Sequence, residues 1–331
     1  MRACESDPEL ELLKLLVDGR AHSGQVLAER LGISRAAVSK RADKLEALGV
    51  HVNRSRANGY RLESPMELLD SGRIEAALSH TERGRISSLA VLTSVPSTND
   101  LATTLLQNSE ITHGAVLLAE YQSRGKGRRG RVWVSPFGRN LCLSVVWSFS
   151  NGLAGLQGLS LVVGLGVLRA LQAEVSLKAG LKWPNDIVAS GAKLGGILIE
   201  IEGDVEGPVT AVIGIGLNVS MARAADLAIS QAWTDVAALC GEAPSRNRLA
   251  GRIIGECIGI LAEFDAHPFQ HFLDEWRSAD ALIGKTVSVD SAQGTVRGIA
   301  RGIDASGALL LIANRQWMRI TAGDVSVRST G

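Results

Sequence analysis

Residues 120–140 read EYQSRGKGRRGRVWVSPFGRN. Five cations, Arg124, Lys126, Arg128, Arg129 and Arg131, fall within eight positions, interleaved with Gly125, Gly127 and Gly130. Glycine lets a backbone turn tightly and come close to a bound group, while a guanidinium fork matches the oxygens of carboxylates and phosphates. A loop of this make-up suits a small anionic molecule. The glycines also satisfy G-x-G-x-x-G, but that fingerprint opens a helix directly after a strand. Here Val132-Trp133-Val134 and then residues 141–147 read as extended, and the G-K-[ST] ending of a phosphate-binding P-loop is missing. Taken alone, the charge run would also serve as a solvated surface loop.

Length and composition bound what surrounds this loop. A chain of 331 residues exceeds one comfortable core, so two or three domains are expected. An apolar content of 46% with 21% charged residues describes a soluble globular protein. The net charge of +1 excludes a globally basic nucleic-acid binder and leaves room for a local patch. The opening MRACESDPELELL has acids where a secretion signal needs positive charge, and no run of about 18 uncharged apolar residues appears. A cytoplasmic protein without a membrane span is expected. Cys4, Cys142, Cys240 and Cys257 lie far apart without Cys-x-x-Cys spacing, which reads as free, mostly buried thiols.

Residues 1–65 form the first expected domain. Leu10, Leu12, Leu13, Leu15, Leu16 and Val17 give a helix-like apolar pattern that Gly19 stops. Ser23 opens SGQVLAERLG, which Gly32 closes. Ser34 then caps SRAAVSKRADKLEALG, where Ala37, Val38, Ala42, Leu45 and Leu48 fit a helical period. Two helices joined by Gly-Ile-Ser make a helix-turn-helix. Ser34, Arg35, Ser39, Lys40 and Arg41 stand near the start of the second, where a recognition helix meets bases and phosphates. After Gly49, VHVNRSRANGYRLE alternates as a hairpin turning at Asn58-Gly59, with Arg54, Arg56 and Arg61 along its arms. Between Arg30 and Arg61 eight Lys or Arg face two acids, Asp43 and Glu46, the local excess that phosphate neutralisation requires. A DNA-binding winged helix is expected; a helical hairpin for protein contacts is the alternative.

Ser64-Pro65 marks a domain edge, followed by a helical connector over 66–78. Apolar runs separated by helices come next: LAVLTSV, STNDLATTLLQ, GAVLLAEYQ and NLCLSVVW. Residues 153–173 read as one long apolar helix whose Gly155, Gly158, Gly164 and Gly166 permit close packing. VPSTNDLA puts Ser97, Thr98 and Asn99 where a strand gives way to a helix, whose N-terminal amides favour anions. LKWPNDIVASGAKLGGILIE joins two strands through a turn, and Gly195-Gly196 lets the backbone near Lys193 approach a ligand. AVIGIGLNVS is a buried strand ending on Asn218. Together these motifs suggest a site of small polar residues, cations and an exposed Trp133. Towards the C-terminus, KTVSVD, GTVRGIARGID, ALLLIA, QWMRIT and VSVR read as the strands of a small β-barrel.

STN at 97–99, EYQSRGKGRRGRVWVSPFG, KWPND at 182–186, KLGGIL at 193–198 and GIGLN at 214–218 occur in the order found in biotin protein ligases. With the winged helix in front, the chain resembles the bifunctional kind that also represses a biotin operon. The resemblance runs from about residue 8 to 328. It implies an α+β protein with three domains: a winged helix-turn-helix over 1–65, a mixed-sheet ligase core over 66–277, and an SH3-like β-barrel over 278–331. The core would be related to class II aminoacyl-tRNA synthetases. By the same resemblance, biotin's carboxylate attacks the α-phosphate of ATP to give biotinyl-5′-AMP and pyrophosphate. A lysine of the biotin carboxyl carrier protein of acetyl-CoA carboxylase then attacks that anhydride.

The resemblance also assigns roles. Ser97, Thr98, Asn99 and Gln122 are expected on the biotin ring, with Lys126, Gly127 and Arg128 over its carboxylate and the phosphate. Lys193, with Arg128, is expected to act catalytically on the oxygens where charge develops. Trp133 and Arg131 would hold the adenine, and Lys182, Asn185, Asp186 and Asn218 the triphosphate, with Asp186 the Mg2+ ligand. Bound biotinyl-AMP would order surface loops and favour a homodimer on operator DNA. The family loop usually reads G-R-G-R-R-G; Lys126 keeps that charge but lacks the bidentate fork. A ligand-sensing repressor without ligase activity and a lipoate ligase-like enzyme are the alternatives.

Overall fold

The structure is a computed structural model that describes residues 8–55, 59–203, 208–221, 229–291 and 294–327. Three helices open it: α1 (Pro8–Leu16), α2 (Gly24–Leu31) and α3 (Arg35–Ala47). Ser23 and Ser34 cap the latter two, each hydroxyl accepting from the backbone N–H three residues on. β1 (Val52–Ser55) and β2 (Gly59–Leu62) pair antiparallel as the wing. Arg56 and Asn58 lie outside the described residues. Leu12, Leu13, Leu16, Leu27, Val38 and Leu45 fill the core between these elements. Phe137, only 2% exposed and far along the chain, completes that core.

The helical connector expected over 66–78 is shorter than its sequence suggests. Residues 66–70 form neither helix nor strand, and only α4 (Ser71–Ala76) and the single turn α5 (His80–Arg83) are helical. Side chains elsewhere take the backbone groups that a helix would pair internally. Glu120 accepts from the Leu69 N–H and Asn247 Oδ1 from the Asp70 N–H, while Arg246 and Asn247 donate to the carbonyls of Glu67 and Leu68. Arg246 and Glu120, each 4% exposed, meet at 2.8 Å in a buried ion pair. The Arg246 guanidinium also donates to the Asn140 carbonyl at 2.8 Å.

The middle of the chain forms a seven-stranded sheet. Its elements run β3 (Ser88–Val95), α6 (Thr98–Gln107), β4 (Ala115–Gln122), β5 (Asn140–Phe149), α7 (Leu159–Val175), β6 (Gly180–Lys182), β7 (Asp186–Ala189), β8 (Ala192–Gly203) and β9 (Val209–Asn218). The strand order is β3-β4-β5-β9-β8-β7-β6, with β3 and β4 parallel and every other neighbour antiparallel, so the sheet is mixed. The KWPND–KLGGIL stretch therefore supplies three strands, where two were expected. α8 (Val236–Cys240), α9 (Arg246–Ala266) and α10 (Leu273–Ala279) follow. Gly166 lets α7 and α9 meet closely, since a Cβ there would lie 3.1 Å from Ile260 Cγ2.

The single helix expected over 153–173 is also broken. A 3-10 turn at Leu153–Leu156 precedes α7, and Gly158 separates them with φ 81°. A side chain at Gly158 would stand 2.4 Å from the Phe269 ring. Cys142 and Cys257 are buried, which pushes their thiols up to about 11 and about 12, whereas Cys240 is exposed. No helix among the described residues is long and apolar enough to cross a membrane.

Five strands end the chain: β10 (Thr286–Ser291), β11 (Gly294–Ile303), β12 (Leu309–Ala313), β13 (Gln316–Ile320) and β14 (Asp324–Val327). They form an antiparallel sheet in the order β13-β12-β11-β10-β14, and among the described residues no ladder joins β13 to β14. The Trp183 indole N–H donates to the Gly307 carbonyl at 2.9 Å, pinning this sheet to the core. Asp304 ties the turn before β12. Burial pushes its carboxyl up, but hydrogen bonds from Ser306 and Arg319 outweigh that and hold it at about 2.

Arg246→Ala strands a buried carboxylate and is expected to cost about 3–5 kcal/mol, read from the denaturation midpoint. Asp304 has a folded pKa below its ordinary value of 3.8, so its stabilisation is full above that value and fades as pH falls towards about 2. The melting-temperature deficit of Asp304→Asn should accordingly shrink between about pH 6 and about pH 3.

Candidate active site

The cationic loop folds back as a narrow hairpin. The Trp133 N–H donates to the Gly125 carbonyl at 2.8 Å, the Gly127 N–H to the Arg131 carbonyl at 2.7 Å, and Lys126 bridges Val132. Between this hairpin and the sheet lies a cavity of about 800 Å³. Every residue that the sequence suggested for the small-molecule site lines it, from Ser97 at the start of α6 to Asn218 at the end of β9.

One end of the cavity is a closed polar network. Ser97 caps α6, and Gln122 Oε1 accepts from the Thr98 N–H at 2.8 Å and its hydroxyl at 3.1 Å. The Ser144 hydroxyl lies 2.8 Å from Thr98 Oγ1 and 2.7 Å from Asn99 Oδ1. Asn99 Nδ2 donates to Glu200 at 2.8 Å. Ser144 and Glu200 escaped the sequence reading because each is an unremarked strand residue in an apolar run. Only the register of β5 and β8 against β9 brings them under α6.

The other end is charged. Lys193 Nζ lies 2.6 Å and Lys182 Nζ 3.6 Å from the two oxygens of Asp186. The Lys193 backbone is clamped by residues 232–234, its N–H donating to the Ala232 carbonyl and its carbonyl accepting from Thr234. The ammonium also stands 5.7 Å from the centre of the Trp133 ring. Trp133, expected to be exposed, is half-buried against Gly216, where a Cβ would come within 2.5 Å of the indole. Asn218 donates to the Thr234 carbonyl at 3.0 Å and accepts from Asn140 at 3.3 Å. Asn185 Nδ2 donates to the Ile197 carbonyl at 2.7 Å, leaving its oxygen 3.4 Å from Arg128.

Two carboxylates that the sequence did not flag hold the loop. Lys126 pairs with Asp100 on α6, a point contact for which an ammonium suffices, and that hydrogen bond raises the lysine's pKa. Arg131, Arg129 and Arg128 converge on Asp324 of β14 at 2.7, 3.3 and 3.9 Å. Asp324 gives no local signal in sequence, being nearly two hundred residues away.

Among the described residues no three His, Cys, Asp or Glu side chains gather to hold a metal. Asp186 is a single carboxylate with both oxygens ion-paired. It fits magnesium only as an ion carried in on phosphates, which needs one or two protein carboxylates.

On the winged helix, Ser34 caps α3, Arg35 and Lys40 are exposed, and Ser39 and Arg41 are half-exposed. Arg54 differs from expectation. It lies 2.6 Å from Asp43 and 3.1 Å from Glu46, so its charge is spent on the two acids of this face and offsets about half of theirs.

Known proteins resemble this chain in sequence and fold. The biotin/lipoate A/B protein ligase family matches residues 91–218, an HTH domain matches 9–61, and the biotin protein ligase C terminal domain matches 282–328. The bifunctional ligase/repressor BirA of Salmonella typhimurium is 38% identical over 97% of this chain and 97% of its own length. The chain belongs to the bifunctional biotin protein ligase/repressor family. A biotin--[acetyl-CoA-carboxylase] ligase of Mycobacterium tuberculosis is 35% identical, covering 72% of this chain and 88% of its own. A solved biotin protein ligase from Aquifex aeolicus, in complex with biotin and ATP, matches with a TM-score of 0.63 at 25% identity. It covers 74% of this ligase/repressor and 100% of that chain.

Gly216→Ala in this ligase/repressor would push the Trp133 ring off the sheet. It is expected to weaken binding of a non-hydrolysable ATP analogue roughly tenfold in isothermal titration, with the fold intact.

Proposed function

We propose that this chain activates biotin with ATP and attaches it to a lysine of a biotin carboxyl carrier protein, and that it represses biotin synthesis genes with the intermediate bound. The observation that carries this reading is Lys193, fixed at its backbone and poised between Asp186 and Trp133 in the cavity between the cationic loop and the sheet. In the first step a biotin carboxylate oxygen bonds to the α-phosphorus of ATP. The bond to the bridging oxygen breaks, and pyrophosphate leaves. In the second, the carrier amine bonds to the acyl carbon and AMP leaves.

Both reactants of the first step are anions, so the work of the site is to bring them together. Lys193, Lys182 and Arg128 offset their repulsion, and Lys193 strengthens its contact as charge shifts to the leaving oxygens. Asp186, released from its lysines, would hold the Mg2+ that accompanies ATP. Thr98, Asn99 and Gln122 would fix the biotin ring through a network that is already ordered, and Trp133 with Arg131 would take the adenine. The hairpin shields the acyl-adenylate from water. With the adenylate in place, an ordered loop surface would favour a homodimer that sets two winged helices on two operator half-sites. Such work belongs in the cytoplasm, with carrier and DNA.

Purified carrier domain should become labelled only when biotin and ATP are both present, and Lys193→Ala should lower the rate on the order of 100-fold. Tight biotin binding without any labelling would remove the ligase reading and leave a sensor-repressor. Displacement of biotin by lipoate at equal concentration would point instead to a lipoate ligase. On operator DNA, Arg35→Ala should reduce the salt dependence of binding by about one phosphate contact. Arg54→Ala should change that slope little, because its charge is already cancelled by Asp43 and Glu46.

A further inference from the structure

A second cavity, of about 440 Å³, lies at the joint between the winged helix and the ligase core. That volume is in the range of small-molecule sites, roughly 300–1,000 Å³. Leu48 and Leu62 of the winged helix face Tyr121, Val134 and Phe137 of the core across it. That part of the wall is apolar and aromatic, while His51, Glu63, Ser64 and Arg139 make another part polar. The half-buried Arg139 guanidinium donates to the Ser64 hydroxyl at 2.6 Å and, among the described residues, meets no carboxylate. Burial pulls its pKa down, and the like charge of Arg246 lowers it further. A desolvated cation without a counter-ion is costly to keep beside an apolar cavity, and an anion on it would offset that cost.

We propose that this cavity binds a small amphipathic carboxylate, its apolar body between the two domains and its carboxylate on Arg139. The rest of its lining differs from that of the biotin cavity, yet Gln122, Val132, Trp133 and Val134 line both. A molecule in the second cavity therefore touches the back of the segment that carries Trp133 and, on its other side, the end of α3. It can bias the ligand site and the DNA-binding domain together, and the coupling is reciprocal.

Isothermal titration of the full chain with octanoate, in saturating biotin, tests this. Biotin occupies Lys193 and Arg128, the other place where a fatty carboxylate would settle. Octanoate should still bind, octan-1-ol should bind roughly tenfold more weakly, and Arg139→Leu should reduce octanoate to the level of the alcohol. Arg139→Lys should recover most of the preference, biotin binding should be unchanged in both variants, and neither should melt lower than the parent. Competition between octanoate and biotin, equal affinity for the alcohol, indifference to Arg139→Leu, or no octanoate binding at millimolar concentration would each overturn the proposal. The same titration on Lys193→Ala without biotin keeps the second cavity readable should biotin itself fail to bind.

Discussion

Five cations in eight positions repel one another, and much of the architecture answers that constraint. Like charges a few ångströms apart oppose each other by about 1–4 kcal/mol per pair at a protein surface. Asp100 meets Lys126 from the first turn of α6, and Asp324 meets three arginines from the last strand of the chain. One carboxylate among three guanidinia leaves the hairpin short of negative charge. On the function proposed above, a bound carboxylate and phosphate would supply it. The loop's shape thus depends on elements at both ends of the catalytic region, and the C-terminal sheet is part of the site, not an appendage.

The sheet below follows a complementary logic. Gly214 and Gly216 on β9 leave the floor without side chains where Asn99 and Trp133 press down, so polar and aromatic groups sit directly on backbone. Behind that floor a hydrogen-bonded path runs from the connector at Glu67 through Arg246 to Asn140, then to Asn218 and the backbone of residues 193 and 234. Connector and the charged end of the cavity are therefore braced by the same buried groups.

What the sequence disclosed is what chemistry packs into short motifs. Ser97-Thr98-Asn99, the cationic loop and Lys182 to Lys193 are each contiguous, so their residue types and spacing could be read directly, and the cavity gathers all of them. Ser144, Glu200 and Asp324 act through strand register and chain reversal, which leave no local mark. The same reason explains the misread helices. Residues 66–70 have helix-compatible composition but lose their backbone groups to Glu120, Arg246 and Asn247. The apolar run over 153–173 hides a break that only the approach of Phe269 to Gly158 makes necessary. The pairing of Arg54 with Asp43 and Glu46 likewise joins a strand to a helix and left no local mark.

Phe137 carries a consequence for how such a protein can change over evolutionary time. A DNA reader at the head of an enzyme looks detachable, a module to be gained or shed by a single crossover at residue 65. Here its interior is finished by a phenyl ring from the catalytic chain. A lineage that discarded the reader would leave that ring facing water, and one that transplanted it would inherit a hole. The two halves are therefore bound to a shared history by one aromatic side chain.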